Sequence, residues 1–192
     1  MGLTEWIAVA LGVANVALVV RRSVWNYPFA LAMVTLYFFV FLDAKLYSDA
    51  LLQIFFLVIN VYGWREWLRS RRTEGEVVVG TLSGRERFCW AAATLVASLA
   101  WGWAMTRFTD AAAPIPDALV AGLSVSAQLL LARRRLENWI LWILADLIAI
   151  PLYFSRGLYP TAGLYFLFLG LATAGFFAWR AALRPPHAPS SE

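Results

Sequence analysis

Long apolar runs separated by short polar breaks recur along the whole chain. They cover residues 3–20, 27–42, 46–68, 88–106, 116–132, 138–154 and 158–182. Crossing a bilayer takes ~20 mostly apolar residues, so the runs predict an all-α membrane protein of seven transmembrane helices. Pro151 falls inside the sixth run and predicts a kink there. The stretch 69–87 is charged and contains glycine, which reads as a loop, and the Pro/Ser-rich tail 184–192 reads as disordered. No basic segment precedes the first run, which reads as a retained helix and not a cleaved leader.

Composition removes whole classes of function. Of the 192 residues, 61% are hydrophobic and 15% charged, with a mean hydropathy of +0.67. A soluble domain is nearer half apolar and a quarter charged, so almost the entire chain is committed to the membrane. One cysteine, Cys89, and one histidine, His187, exclude an internal disulfide, a cysteine-bound metal and a Ser-His-Asp triad. The chain therefore reads as a non-enzyme without metal or cofactor. The basic residues are unevenly placed. With seven spans, thirteen fall on one side, and only Lys45, Arg107 and Arg156 fall on the other. By the positive-inside rule this predicts an outside N-terminus and a cytoplasmic C-terminus in the inner membrane. The net charge of +4 belongs to those loops and implies no nucleic-acid partner.

Sliding the sequence by 112 residues exposes an internal repeat. Arg21-Arg22 falls on Arg133-Arg134, Asn26 on Asn138, and Leu46-Tyr47 on Leu158-Tyr159. Gly63 falls on Gly175 and Trp67 on Trp179. The unit is three spans long, and the extra span 88–106 between the copies restores a common orientation. The expected organisation is 3+1+3: a first repeat at 1–68, a loop and linking helix at 69–115, and a second repeat at 116–183. Parallel repeats of this kind characterise one group of transporters, which bind substrate near the midplane between the copies.

Several polar residues fall inside the runs. Asp146 is the acid nearest the middle of a span, where a charge costs at least ~2.5 kcal/mol unless it faces a wet cavity or a partner. Asn138, Trp142 and Asp146 recur every fourth residue and share one helix face, with Trp139 on its flank. For Trp139, an interfacial aromatic belt competes with a site role. Gln53 and Asn60 form a polar stripe on the third span, and Gln128 follows Ser124 on the fifth. Tyr165 falls on Gln53 under the repeat. Each of these amides either meets substrate or ties helices together. Trp64 and Trp67, beside Arg65 and Arg69, read as belt anchors.

In order and spacing, several segments resemble the PnuC-type vitamin transporters. They are Tyr27-Pro28-Phe29-Ala30, Lys45-Leu46-Tyr47-Ser48-Asp49-Ala50-Leu51-Leu52-Gln53, Tyr62-Gly63-Trp64-Arg65-Glu66-Trp67, Glu137-Asn138-Trp139-Ile140-Leu141-Trp142 with Asp146, and Gly157-Leu158-Tyr159. The resemblance spans roughly residues 20 to 182. It implies a fold like that of the SWEET sugar transporters and a vitamin as cargo, nicotinamide riboside in the best-known members and thiamine or other vitamins in relatives. The residues themselves point to a similar ligand. Amides, indoles, phenols and one carboxylate suit a flat cationic ring bearing hydroxyls, since aromatic faces attract a desolvated cation by ~2 kcal/mol or more. No nucleotide-binding loop or intramembrane proton relay is present, so facilitated diffusion is expected. A membrane scaffold is the alternative of another class, and self-association is left open.

Overall fold

The computed structural model describes residues 3–43, 47–109, 113–155, 157 and 159–183. Lys45, Asp110, Arg156, the tail 184–192 and the predicted span starts Leu46 and Leu158 lie outside them. Seven helices occur among the described residues: α1 (Leu3–Val20), α2 (Asn26–Asp43), α3 (Tyr47–Glu74), α4 (Gly84–Phe108), α5 (Pro114–Ala132), α6 (Glu137–Ser155) and α7 (Tyr159–Ala181). Four segments, Gly84–Phe108, Pro114–Ala132, Glu137–Ser155 and Thr161–Ala181, are long and apolar enough to cross a membrane, and Val9–Val20 and Asn26–Phe39 are shorter apolar stretches. Their large apolar side chains, such as Phe88, Val96, Trp101 and Phe166, point outward, as a lipid solvent permits.

One boundary differs from the sequence reading. α3 continues through Arg69, Arg71 and Arg72 to Glu74, so the expected loop 69–87 shrinks to the segment 75–83. A charged helix end outside the bilayer keeps its backbone bonds, and hydropathy does not register it. α6 runs on as helix through Pro151.

Residues 112 apart take the same local structure. α1 and α5 both end in a Schellman motif whose left-handed residue is an arginine, Arg22 at φ 54° and Arg134 at φ 58°. The amides of Arg22 and Ser23 bond Val19 and Leu18, and those of Arg134 and Arg135 bond Leu131 and Leu130. Glycine is the usual occupant of that position. Each next helix carries in its first turn a buried asparagine that bonds back to the turn. Asn26 Nδ2 donates to Ser23 O at 2.7 Å, and Asn138 Nδ2 to Arg135 O at 2.6 Å. Within a unit, α2 packs against α1 and α3, and α6 against α5 and α7; between units, α1 meets α7 and α3 meets α5.

α4 packs against α5 through small residues. Thr94 and Ser126 hydroxyls hydrogen-bond at 2.7 Å, and Gly122 leaves room for Ser98. Small residues let helix backbones approach closely where lipid supplies no hydrophobic drive. A capping box of Ser83 and Glu86 starts α4. The segment before it is strapped across the bundle end. Gly80 makes a parallel bridge to Arg135, Glu137 accepts from the Leu82 amide at 3.0 Å and from Arg87 at 2.8 Å, and Val77, Val79 and Leu82 are buried.

Candidate substrate-binding site

At the arginine-rich end, four rings close the space between the two three-helix units. Tyr27 meets Trp67 edge-on at 5.4 Å, and Trp139 meets Trp179 edge-on at 5.5 Å. Tyr27 falls on Trp139 under the 112-residue offset, so these are matching pairs. Trp67 and Trp179 touch each other at 5.7 Å. Glycine makes both pairs fit: a Cβ on Gly63 would lie 2.6 Å from the Tyr27 hydroxyl, and one on Gly175 2.5 Å from the Trp139 ring. Trp67 is 0% exposed, which corrects its reading as a belt anchor. Trp139, 2% exposed, is likewise a core residue and not a belt residue.

The candidates predicted on one face of α6 divide by depth. Asn138 and Trp139 sit at its buried start, where Asn138 Oδ1 and Trp139 Nε1 have no hydrogen-bond partner among the described residues. Trp142, half-buried, packs against the aromatic cluster. Asp146 is the tenth of the 19 residues of α6 and 3% exposed. Tyr165 of α7 feels the Asp146 charge, bonds the side chain of Tyr153 and lies within electrostatic reach of Tyr37 on α2. The Tyr153 and Tyr165 rings stand 5.1 Å apart. Asp146 is therefore within electrostatic reach of Tyr165 in mid-helix, and Tyr165 in turn stands beside Tyr153 and within reach of Tyr37 from the other unit.

Other candidates lie apart from this cluster. Asn60 donates to Phe56 O at 2.8 Å and accepts from Gln128 Nε2 at 3.0 Å, a bond that joins α3 to α5 across the units. Both are buried. The offset places Asn60 on Ala172 and Gln128 on Val16, so this bond has no counterpart. Gln53 lines an apolar groove of about 170 Å³ between α2 and α3, with Val34, Phe38, Phe39, Ile54 and Leu57. Phe39, Ile54 and Leu57 are exposed, so the groove faces outward. Val34 and Gln53 are the counterparts of Asp146 and Tyr165. One unit thus carries a valine and an amide where the other carries acid and phenol.

Sequence reasoning missed Tyr153 and Tyr37. Tyr153 lies seven residues beyond Asp146, two helical turns along the same face, and that spacing could have singled it out. Nothing local marks Tyr37, which falls on Ala149 under the offset. No group of three or more His, Cys, Asp or Glu side chains able to hold a metal occurs among the described residues. The arrangement offers one carboxylate, several phenols and indoles, and amides in a membrane interior. Groups of these types are suited to binding and orienting a ligand.

A seven-helix membrane bundle with a closed aromatic end and one mid-helix acid is the frame of a small-molecule carrier. Residues 2–181 match the nicotinamide mononucleotide transporter family, and the chain belongs to that family of membrane vitamin transporters. It is 26% identical to the nicotinamide riboside transporter PnuC of Escherichia coli strain K12, over 91% of this chain and 84% of that one. Its identity to the riboflavin/roseoflavin transporter RibM of Streptomyces davaonensis is 28%, over 88% and 80% of the two chains. The crystal structure of the vitamin B3 transporter PnuC superposes with a TM-score of 0.74 at 24% identity, covering 92% of this chain and 80% of that one.

Proposed function

We propose that the protein is a facilitative carrier for a cationic aromatic vitamin, with nicotinamide riboside the first candidate and thiamine the second. The observation that carries this reading is Asp146, a carboxylate 3% exposed at the centre of α6, within electrostatic reach of Tyr165, which bonds Tyr153. A buried carboxylate without a cation is costly. A ligand bearing fixed positive charge on a flat ring supplies that cation and stacks on the phenols. Asn138 and Trp139, each with a buried polar atom free for a ligand, would take hydroxyl and carboxamide groups once the aromatic end opens. Trp142 flanks the path, Gln53 lies off it in the outward-facing groove, and Asn60 and Gln128 hold the units together.

The transport cycle in this reading is a rocking of the two units about their shared interface. Opening at the arginine-rich end separates Trp67 from Trp179, and the strap 75–83, held by Arg22 and Ser70 of the first unit and by Arg135 and Glu137 of the second, spans the moving interface. We assign that end to the cytoplasm on the strength of the basic loops. No side chain provides a coupling relay, so uptake stops at equal concentrations, and trapping falls to phosphorylation inside the cell. In liposomes with the voltage held at zero, labelled nicotinamide riboside should equilibrate without accumulating. Accumulation driven by a proton or sodium gradient would overturn the uniport.

Riboflavin is the second reading, favoured by the match to the riboflavin/roseoflavin transporter. It is a flat ring without fixed charge. Competition binding separates the two: a cation site prefers nicotinamide riboside and thiamine to riboflavin, and a riboflavin site reverses the order.

A further inference from the structure

The two arginine turns that the repeat brings into correspondence are used differently. In the second, every guanidinium is engaged: Arg133 lies 5.8 Å over the Trp90 ring, Arg134 donates to Glu66 O, and Arg135 donates to Thr81 O at 3.0 Å. In the first, Arg22 alone is held, by Val77 O at 3.3 Å and the Glu76 carboxylate at 3.4 Å. Arg21 and, across from it on the last turn of α3, Arg71 are exposed, and their side chains take no hydrogen-bond or ion-pair partner among the described residues. These three arginines line one polar depression of about 270 Å³, floored by Gly75 and Val77.

We infer that this depression is a binding site for a phosphate-bearing anion, the headgroup of an anionic phospholipid. The charge balance favours an anion. Three guanidiniums face one carboxylate, and Glu76 already pairs with Arg22. The C-termini of α1 and α3 also end here, contributing about half a negative charge each. That leaves a surplus near one positive charge, with two forks free to grip phosphate oxygens in pairs. The location selects a lipid as the source. The depression lies at the ends of α1 and α3 on the basic side of the bundle, and basic pockets between transmembrane helices are where lipid headgroups bind. Gly75 has open space above its backbone, so nothing on the floor obstructs a headgroup. Because Arg22 also holds the strap at Val77, a lipid seated here would brace the closed end.

Native mass spectrometry on the purified full-length protein tests this, with phosphatidylglycerol, phosphatidylcholine of the same chains and inorganic phosphate as probes. Wild type should retain phosphatidylglycerol about tenfold over phosphatidylcholine. The variant Arg21→Gln/Arg71→Gln, two exposed changes, should lose that preference while keeping its helical content by circular dichroism and its melting temperature in lipid-free detergent. Equal retention of phosphatidylglycerol by the variant would overturn the site. A variant that fails to fold is replaced by Arg71→Gln alone, which should reduce the preference by half or more; no reduction counts against the site. Displacement of the lipid by millimolar inorganic phosphate would assign the depression to a free anion and overturn the lipid assignment.

Discussion

Trp67 and Trp179 stand 112 residues apart in sequence and 5.7 Å apart in space, their rings tilted 54° to each other. Each donates its indole N–H to the other unit's first helix. Trp67 bonds Leu131 O at 3.2 Å and Trp179 bonds Val19 O at 3.0 Å, and Val19 and Leu131 are themselves 112 residues apart. Both carbonyls already accept the amide of the left-handed arginine that ends their helix. The tryptophans thus lock the two units reciprocally onto each other's helix ends.

Replacing either indole with phenylalanine removes one buried hydrogen bond and part of the ring contact. Trp67→Phe and Trp179→Phe should each cost about 1–3 kcal/mol, and by the symmetry of the contacts the two costs should be similar. Thermal unfolding in detergent reads both. A loss at one position only would show that the reciprocal geometry does not carry the stability.

The glycines beneath the rings give a sharper steric test. Gly63→Ala and Gly175→Ala place a methyl against Tyr27 and Trp139, and overpacking of this kind costs about 1–3 kcal/mol. Gly163→Ala and Gly170→Ala meet nothing within 4 Å. These two should be neutral or slightly stabilising, since alanine is the better helix former. Melting temperatures of the four variants should fall into two pairs, and an equal response at all four would contradict the packing.

Charge at the site is tested by Asp146→Asn. Binding of a cationic vitamin should weaken by about 1–3 kcal/mol, while riboflavin, which lacks the fixed charge, should be affected little. Isothermal titration with both ligands gives the comparison. Tyr153→Phe should weaken binding less, because it removes a hydroxyl next to Tyr165 and leaves the ring. Unchanged affinity in Asp146→Asn would place the acid outside the site.

Orientation is open to labelling. With Cys89, which is exposed, first replaced by serine, a cysteine at Gly75 should resist a membrane-impermeant thiol reagent in intact cells. One at Ser155, exposed at the opposite end, should react. The reverse pattern would place the strap 75–83 outside the cell.

The positions of the seven helices and the matching turns at the 112-residue offset were legible in the chain itself, for reasons that are local or periodic. Lipid demands long apolar runs, and a duplicated unit leaves matching Arg-Arg, Asn, Gly and Trp positions at a constant offset. Asp146 was legible as well, since a charge at mid-span stands out against its neighbours. What those residues touch was decided by tertiary structure. Trp67 beside arginines looks like a belt anchor until α5 arrives to accept its N–H. Asn60 and Gln128 look alike as free amides until α3 and α5 pair them across 68 residues. The phenol of Tyr37 comes within electrostatic reach of Tyr165 only once the two units are assembled. Inside a membrane the hydrophobic term is nearly the same for every outward position, so the sequence reports that a residue lies at depth. Which polar groups meet is set by helix packing, because each needs a partner that lies far along the chain.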